Sequence, residues 1–144
     1  MPLESPRHAL LDSLLAPEQC ARIRERAVEE LGFAQAKVGS GSAESAEVSL
    51  SKNSRRARYA PVPREKFFWA QVYAKAWRLV NETNERLWRF PISPDTMETM
   101  QYSIYSAEDR GTYDWHEDVG FMGATASRSL SASIQLSDDG GYEG

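Results

Sequence analysis

Apolar residues recur at three- and four-residue spacing in two stretches, and this spacing predicts two helices. The first is expected over residues 17–31, with Pro17 at its first position and Gly32 after its end. Its predicted buried stripe comprises Cys20, Ile23, Ala27, Val28 and Leu31. The second helix is expected over residues 64–84, with a stripe typical of a helix face packed on a sheet. That stripe comprises Phe68, Trp69, Val72, Tyr73, Ala76, Trp77 and Val80.

Beyond residue 98 the hydrophobic period shortens to two, which is the pattern of strands. Over residues 98–106 the apolar face comprises Met100, Tyr102 and Ile104, and the polar face comprises Thr99, Gln101, Ser103 and Tyr105. Over residues 128–137, apolar residues alternate with serines and Gln135. Shorter strands are predicted at residues 33–38 and in "RLWRFPI" at 86–92. Helices followed by two-sided strands predict an α+β fold, a largely antiparallel sheet with helices covering one face.

The polar face of the two longer predicted strands contains small hydroxyls and amides and almost no charge. An ordinary solvent-facing strand carries lysine and glutamate, whereas serine, glutamine and tyrosine suit a cavity that holds a polar small molecule. An exposed serine-rich strand is the alternative interpretation. We therefore expect this face to line a binding cavity.

Composition changes this picture little. The 144 residues are 41% hydrophobic and 26% charged, as in one soluble domain, and the net charge of −4 is too small to dictate a partner. The cluster Arg55, Arg56 and Arg58 is expected to be solvated or paired with carboxylates, so no nucleic-acid partner is predicted. The single cysteine excludes an internal disulfide. Without a leader-like or membrane-spanning run, we expect a cytoplasmic protein and no membrane partner.

The segment "TYDWHEDVGF" contains the most distinctive polar pair, His116 and Asp118. In an extended segment the two side chains project to one face, with α-carbons about 6.5–7 Å apart. An imidazole nitrogen and a carboxylate oxygen can then bind one metal ion, as part of the 2-His-1-carboxylate set that holds non-haem iron. Taken alone, the tripeptide favours an exposed loop histidine beside acidic residues. The surrounding pattern has to decide between the two.

Two stretches, "MQYSIYSAEDRGTYDWHED" and "RSLSASIQLSDDGGYEG", together resemble the iron- and 2-oxoglutarate-dependent dioxygenases of the prolyl-4-hydroxylase type. The resemblance covers residues 98–144 specifically and residues 8–97 only loosely. The matching positions, in order and at compatible spacings, are Tyr105, Gly111, Tyr113, His116, Asp118, Arg128, Leu136, Glu143 and Gly144. The joint match is much more specific than the tripeptide alone.

The resemblance implies a double-stranded β-helix (jelly-roll) core with the N-terminal helices packed on its major sheet. Residues 1–97 would form a helical support region and 98–144 the first part of the core, in one domain. The implied cofactors are Fe(II), 2-oxoglutarate as cosubstrate, and O2, for hydroxylation of a peptidyl, such as prolyl, or small-molecule substrate. His116 and Asp118 would bind iron, and Tyr105 and Tyr113 would line the 2-oxoglutarate pocket. Gln135 stands where several relatives carry a tyrosine that binds the far carboxylate.

Two residues that the resemblance requires are missing from the sequence: a downstream histidine as third iron ligand, and a basic residue for the C5 carboxylate. The only other histidine is His8, near the N-terminus. We therefore expect the chain to be truncated before the last strands. Its open sheet edge would be covered by a neighbouring chain in a homo-oligomer, by strand complementation or by the absent residues. Two alternatives stay open: a catalytically incomplete binding module of the same fold, and a cupin-like metal protein that does not use 2-oxoglutarate.

Overall fold

The computed structural model of the chain describes residues 6–12, 14–35, 57–106, 108 and 127–138. In chain order its elements are α1 (Pro17–Glu30), β1 (Ala34–Gln35), β2 (Ala57–Pro61), α2 (Phe67–Leu87), a short 3-10 helix (Pro94–Thr96) and β3 (Gln101–Tyr105). The three strands form one sheet in the order β1-β2-β3, and both pairs are antiparallel. Three short strands are too few to establish a jelly roll, so that core stays a prediction.

Helix α1 confirms the first helix prediction almost to the residue. Pro17 occupies the first helical position, and the backbone N–H of Ala16 donates to Oε1 of Gln19, 3.1 Å away. Ile23 and Ala27 are buried along one stripe, as predicted. The assignment of Val28 to that stripe is wrong, because its side chain is 72% exposed. A residue adjacent to Ala27 is rotated about 100° around the helix, which directs Val28 away from the core.

Helix α2 confirms the second helix prediction, although the helix begins and ends three residues later than predicted. Trp69, Tyr73 and Ala76 are buried, and the remaining members of the predicted stripe are half-buried. The aromatic stripe is therefore a core face. The displacement at the start follows from Lys66, whose extended backbone (φ −77°, ψ 131°) delays the first helical residue to Phe67.

The strand predicted in "RLWRFPI" is wrong, because α2 continues to Leu87 and the chain then turns sharply. The buried side chain of Asn84 controls this turn. Its Nδ2 donates to the Phe90 carbonyl at 2.9 Å, and its Oδ1 accepts from the Phe90 N–H, also at 2.9 Å. Arg89 adopts a left-handed backbone (φ 58°), as residues just past a helix often do. Since Phe90 is satisfied by a side chain, it needs no strand partner.

Both helices pack on the same face of the sheet, around one apolar cluster. Along β3 the helix-facing side chains are Tyr102 and Ile104, and Tyr102 meets the Phe33 ring edge-on with centroids 5.9 Å apart. The buried members of the cluster are Ile23, Ala27, Leu31, Ala60, Val62, Trp69 and Tyr73. The helices therefore occupy one side of the sheet and leave its opposite face to other contacts.

The hydroxyl of Tyr73 joins α2 to the sheet. It donates to the Val62 carbonyl at 3.0 Å and accepts from the Met100 N–H at 2.7 Å. Tyr73 is only 5% exposed, so water cannot easily replace these bonds. The Tyr73 oxygen thus bonds one backbone group just after β2, at Val62, and one just before β3, at Met100.

Tyr73→Phe should lower the free energy of unfolding by about 1–3 kcal/mol, because the two backbone groups lose their partner while the ring still packs. Urea denaturation monitored by tryptophan fluorescence measures the loss. Tyr59→Phe is the matched control, since the half-buried Tyr59 side chain makes no comparable bond in the described structure. Equal effects of the two substitutions would contradict the role assigned to the Tyr73 hydroxyl.

Residues 127–138 run along the helices and the approach to β3 without joining the sheet, so the strand predicted at 128–137 is not found. The alternation survives in part: Leu130, Ile134 and Leu136 are half-buried, whereas Ala132, on the same predicted face, is exposed like Gln135. Leu136 packs against the core cluster, and the guanidinium of Arg24 donates to its carbonyl. Here the apolar period reflects contact with the helices and not pairing with a strand.

Candidate functional site

Tyr105 is the predicted site residue that the structure places best. It ends β3, pairs with Ala57 of β2, and is 45% exposed. Since Tyr102 faces the helices and side chains alternate along a strand, Tyr105 lies on the opposite side. We call this side the outer face, formed in β3 by Gln101, Ser103 and Tyr105 and in β2 by Ala57, Tyr59 and Pro61.

The outer face carries hydroxyl, amide and small apolar groups and no ionisable acid or base other than its tyrosines. Ser103 and Tyr59 pair across the two strands and are both half-buried. Ala57 is 1% exposed, whereas its cross-strand partner Tyr105 is 45% exposed. Such a surface can hydrogen-bond a polar small molecule without repelling an anion.

Gln135 is the second predicted site residue within the described ranges, and the structure does not bring it to Tyr105. Its side chain is exposed in residues 127–138, while the neighbouring Leu136 turns toward the core. No hydrogen bond joins Gln135 to Tyr105. The predicted contact of Gln135 with a bound carboxylate therefore stays a prediction.

Tyr113, His116 and Asp118, the remaining predicted site residues, lie outside the described residues. The structure does fix what flanks them. Tyr105 ends β3 on one side, and on the other Arg128 forms two bonds of 2.5 and 2.6 Å with the carboxylate of Glu98, ahead of β3. The chain thus leaves the far end of β3 and re-enters the described structure near its beginning.

Across residues 6–12, 14–35, 57–106, 108 and 127–138, no three histidine, cysteine, aspartate or glutamate side chains gather where they could hold a metal ion. His8 is exposed ahead of α1. The described residues therefore offer no alternative to His116 and Asp118 as the predicted metal ligands.

Glu30 has the most connected carboxylate in the described part of the chain, and it joins α1 to α2. It accepts from Arg26 at 2.6 Å, from Trp69 Nε1 at 3.1 Å and from Lys66 at 3.4 Å. The bond from Arg26 is the main cause that holds the Glu30 pKa below its ordinary value, and the Trp69 and Lys66 contacts add to it against a partial desolvation. The carboxylate links the two helices, and we assign it no catalytic role.

The stability that Glu30 provides should depend on pH. Because its folded-state pKa is lowered, the contribution is complete above the unfolded-state value near 4.5 and is lost as pH falls below it. Glu30→Gln should therefore destabilise the protein clearly at pH 7 and much less at pH 3, in urea titrations at both values. Glu29→Gln, an exposed neighbour without an ion pair in the described structure, controls for the general loss of one negative charge. A pH-independent effect of Glu30→Gln would contradict the linkage.

Arg128 and Glu98 form a contact that the sequence pattern did not predict. The available signal was weak: opposite charges at the starts of two predicted strands, separated by 30 positions. Exposed ion pairs contribute at most about 1 kcal/mol, although this bidentate geometry is the favourable one. The pair therefore serves mainly to set where residues 127–138 begin relative to β3.

No helix among the described residues is both long enough and apolar enough to cross a membrane. A scan against protein-family models, a search of curated proteins and a search of solved structures each found no match to the chain. The functional interpretation accordingly depends on the residue pattern of 98–144 and on the outer face beside it.

Proposed function

We propose that the protein is an Fe(II)- and 2-oxoglutarate-dependent dioxygenase that hydroxylates an unactivated C–H bond of a peptidyl or small-molecule substrate. One observation carries the proposal: the ordered series that starts at Tyr105, passes through His116 and Asp118, and reaches Arg128, Leu136 and Glu143. A His-x-Asp tripeptide alone is common, whereas its combination with these flanking positions at matching spacings is not.

The described structure supports the proposal at the start of the series. Tyr105 closes β3 on the neutral, hydroxyl-bearing outer face, and the chain continues from there into the His-x-Asp segment. In the proposal, Tyr105 and Tyr113 bind 2-oxoglutarate through their hydroxyls. The described structure does not bring Gln135 to Tyr105, so a contact of Gln135 with the far carboxylate is not part of the proposal. Hydroxyl donors can orient a dicarboxylate while leaving its charge to be balanced by the metal ion.

His116 would bind iron through an imidazole nitrogen and Asp118 through a carboxylate oxygen, a donor set suited to Fe(II). When bound, iron with 2-oxoglutarate and O2 supplies the oxidising chemistry, and the protein contributes binding, orientation and exclusion of water. The second histidine of the triad has no counterpart here, since His8 is exposed ahead of α1.

The missing third iron ligand favours one other candidate function. A jelly-roll domain without a complete ligand set would act as a binding module for a peptide or protein. The two candidates differ in one property: the oxygenase site binds a metal ion and 2-oxoglutarate together, whereas the binding module binds neither. A cupin-like metal protein would bind the ion alone.

Isothermal titration calorimetry separates these candidates. With Mn(II) in place of Fe(II), the oxygenase proposal predicts that the metal tightens 2-oxoglutarate binding and that 2-oxoglutarate tightens metal binding by the same factor, as linkage requires. The titration is performed on the full chain and on His8→Ala, which should behave alike. Absence of binding, or 2-oxoglutarate binding that ignores the metal, would refute the oxygenase; metal binding that ignores 2-oxoglutarate would favour the cupin-like protein.

A further inference from the structure

Helices α1 and α2, with the segment before α1, enclose a surface groove remote from the proposed metal ligands in sequence. Its first part, of about 170 Å³, lies between the two helices and is lined by apolar side chains that include Ile23, Phe68, Val72 and Ile134. A second depression, of about 430 Å³, shares Leu14 and Lys75 with the first and extends toward Leu79. We call the two parts together the helix groove.

The second part of the helix groove exposes leucine side chains beside its charged residues. Leu10 is 86% exposed and Leu11 is 48% exposed, and both line its second part. Single exposed leucines are ordinary, but adjacent ones that extend an apolar depression are typical of interaction sites. Along α2 the groove runs from Phe68 to Leu79, a length of about 16 Å or three helical turns.

The rim of the helix groove is positively charged. Arg22 lies over the Phe68 ring with its guanidinium carbon 5.5 Å from the centroid, and Lys75 donates to the neutral Gln19 side chain at 3.2 Å. Within the described residues neither cation forms a salt bridge. Arg78, on the second part, reaches Glu82 only at 3.9 Å, and both side chains are more than 60% exposed. Such a pair competes weakly with an incoming carboxylate.

We propose that the helix groove binds an acidic amphipathic segment of a partner protein. Apolar side chains of that segment would occupy the floor between Ile23 and Val72, and its carboxylates would pair with Arg22 and Lys75. Helix-in-groove recognition uses this combination of an apolar stripe and flanking charges. The positive charge on the rim favours an acidic partner, because the rim would repel a basic segment. The proposal is independent of the proposed oxygenase function.

Two other occupants fit less well. A second copy in a two-fold contact would bring the same face against itself and place Arg22 and Lys75 opposite like charges. An anionic membrane surface favours clusters of about four to eight basic residues on a protruding surface. The helix groove is concave and its basic side chains are Arg22, Lys75 and Arg78, accompanied by Asp12.

The test uses a fluorescein-labelled helical peptide with leucines at helical spacing and glutamates elsewhere, and a twin with lysines in place of the glutamates. Fluorescence anisotropy with the full chain should show binding of the glutamate peptide, weakened as salt rises, and no binding of the lysine twin. The double substitution Arg22→Glu and Lys75→Glu should weaken the glutamate peptide at least about tenfold. Leu10→Ser with Leu11→Ser, a second variant at exposed positions, should also weaken it.

The matched control is Arg7→Glu with Arg86→Glu, which changes the net charge equally at exposed positions outside the groove lining and should alter affinity by less than about twofold. Circular dichroism establishes that each variant is folded. Equal binding of both peptides, or equal loss in both double variants, overturns the proposal. Two other outcomes also overturn the proposal. In one, the protein sediments with phosphatidylserine vesicles and binds neither peptide; in the other, the protein self-associates and the groove variants abolish this self-association.

Discussion

Trp69→Ala is expected to lower the free energy of unfolding by about 3–5 kcal/mol, the largest effect on stability predicted for this protein. Trp69 is 1% exposed and is the largest fully buried side chain in the described part of the chain. It belongs to the cluster that joins both helices to the sheet, and its ring meets Phe68 edge-on with centroids 5.0 Å apart. Truncation would open a cavity at the centre of that cluster, against a total stability of about 5–15 kcal/mol for an ordinary domain.

Two variants show whether burial is the cause. Trp69→Phe retains an aromatic ring but loses the Nε1 donor to Glu30, and Glu30 keeps its bonds from Arg26 and Lys66. The free energy of unfolding should therefore fall clearly less in Trp69→Phe than in Trp69→Ala. Trp77→Ala removes the same side chain from a half-buried position on the same helix and should cost less than half as much as Trp69→Ala. Urea denaturation followed by far-ultraviolet circular dichroism measures all three. A Trp69→Ala loss no greater than that of Trp77→Ala would contradict the described core.

His116→Ala should weaken metal binding by at least about a hundredfold, since loss of a direct ligand should exceed the 10–100-fold loss typical of its supporting groups. His8→Ala, which removes the other histidine, should leave binding unchanged. The proposal assigns the imidazole nitrogen of His116 directly to the ion, so no other residue of its type can substitute. Calorimetric titration with Mn(II) and 2-oxoglutarate gives both affinities.

The carboxylate ligand has its own matched pair. Asp118→Asn removes the charge at an assigned ligand, while Glu117→Gln removes a charge one position away, which the predicted extended segment would place on the opposite side. The first should weaken metal binding strongly and the second only slightly. Similar losses in the two variants would show that alternation along residues 116–118 is not what selects the ligand.

The helices were predictable because each buries one continuous stripe, and this signal is local in sequence. The ends of the helices were less predictable. At the end of α2, Asn84 supplies both bonds to Phe90 through its side chain, and no periodicity reveals that a polar residue at this position will be buried. The strand predicted in "RLWRFPI" failed for this reason.

The strands show where a period of two is insufficient. β3 was predicted, but β2 was not, since Ala57 and Ala60 are buried on opposite faces and exposure does not alternate between them. Conversely, residues 128–137 alternate without pairing, because Leu136 and its neighbours contact helices. Pairing depends on segments far apart in the chain, which a local pattern does not contain.

For the candidate site, the sequence placed Tyr105 at a strand end on a polar face, and the structure agrees on both points. The predicted ligands His116 and Asp118 lie outside the described residues, so their convergence stays a prediction. The helix groove was not predicted, because it forms where residues of two helices and a distant segment converge. The sequence pattern assigns the stripes of the two helices to the core alone.

Electron paramagnetic resonance of Mn(II) bound to the chain, with histidine labelled by ¹⁵N, tests the central claim most directly. The oxygenase proposal predicts a ¹⁵N hyperfine coupling from a directly bound imidazole that persists in His8→Ala and disappears in His116→Ala. Addition of ¹³C-labelled 2-oxoglutarate should add a carbon coupling to the same ion. A spectrum without nitrogen coupling, or a coupling that survives His116→Ala, would contradict it.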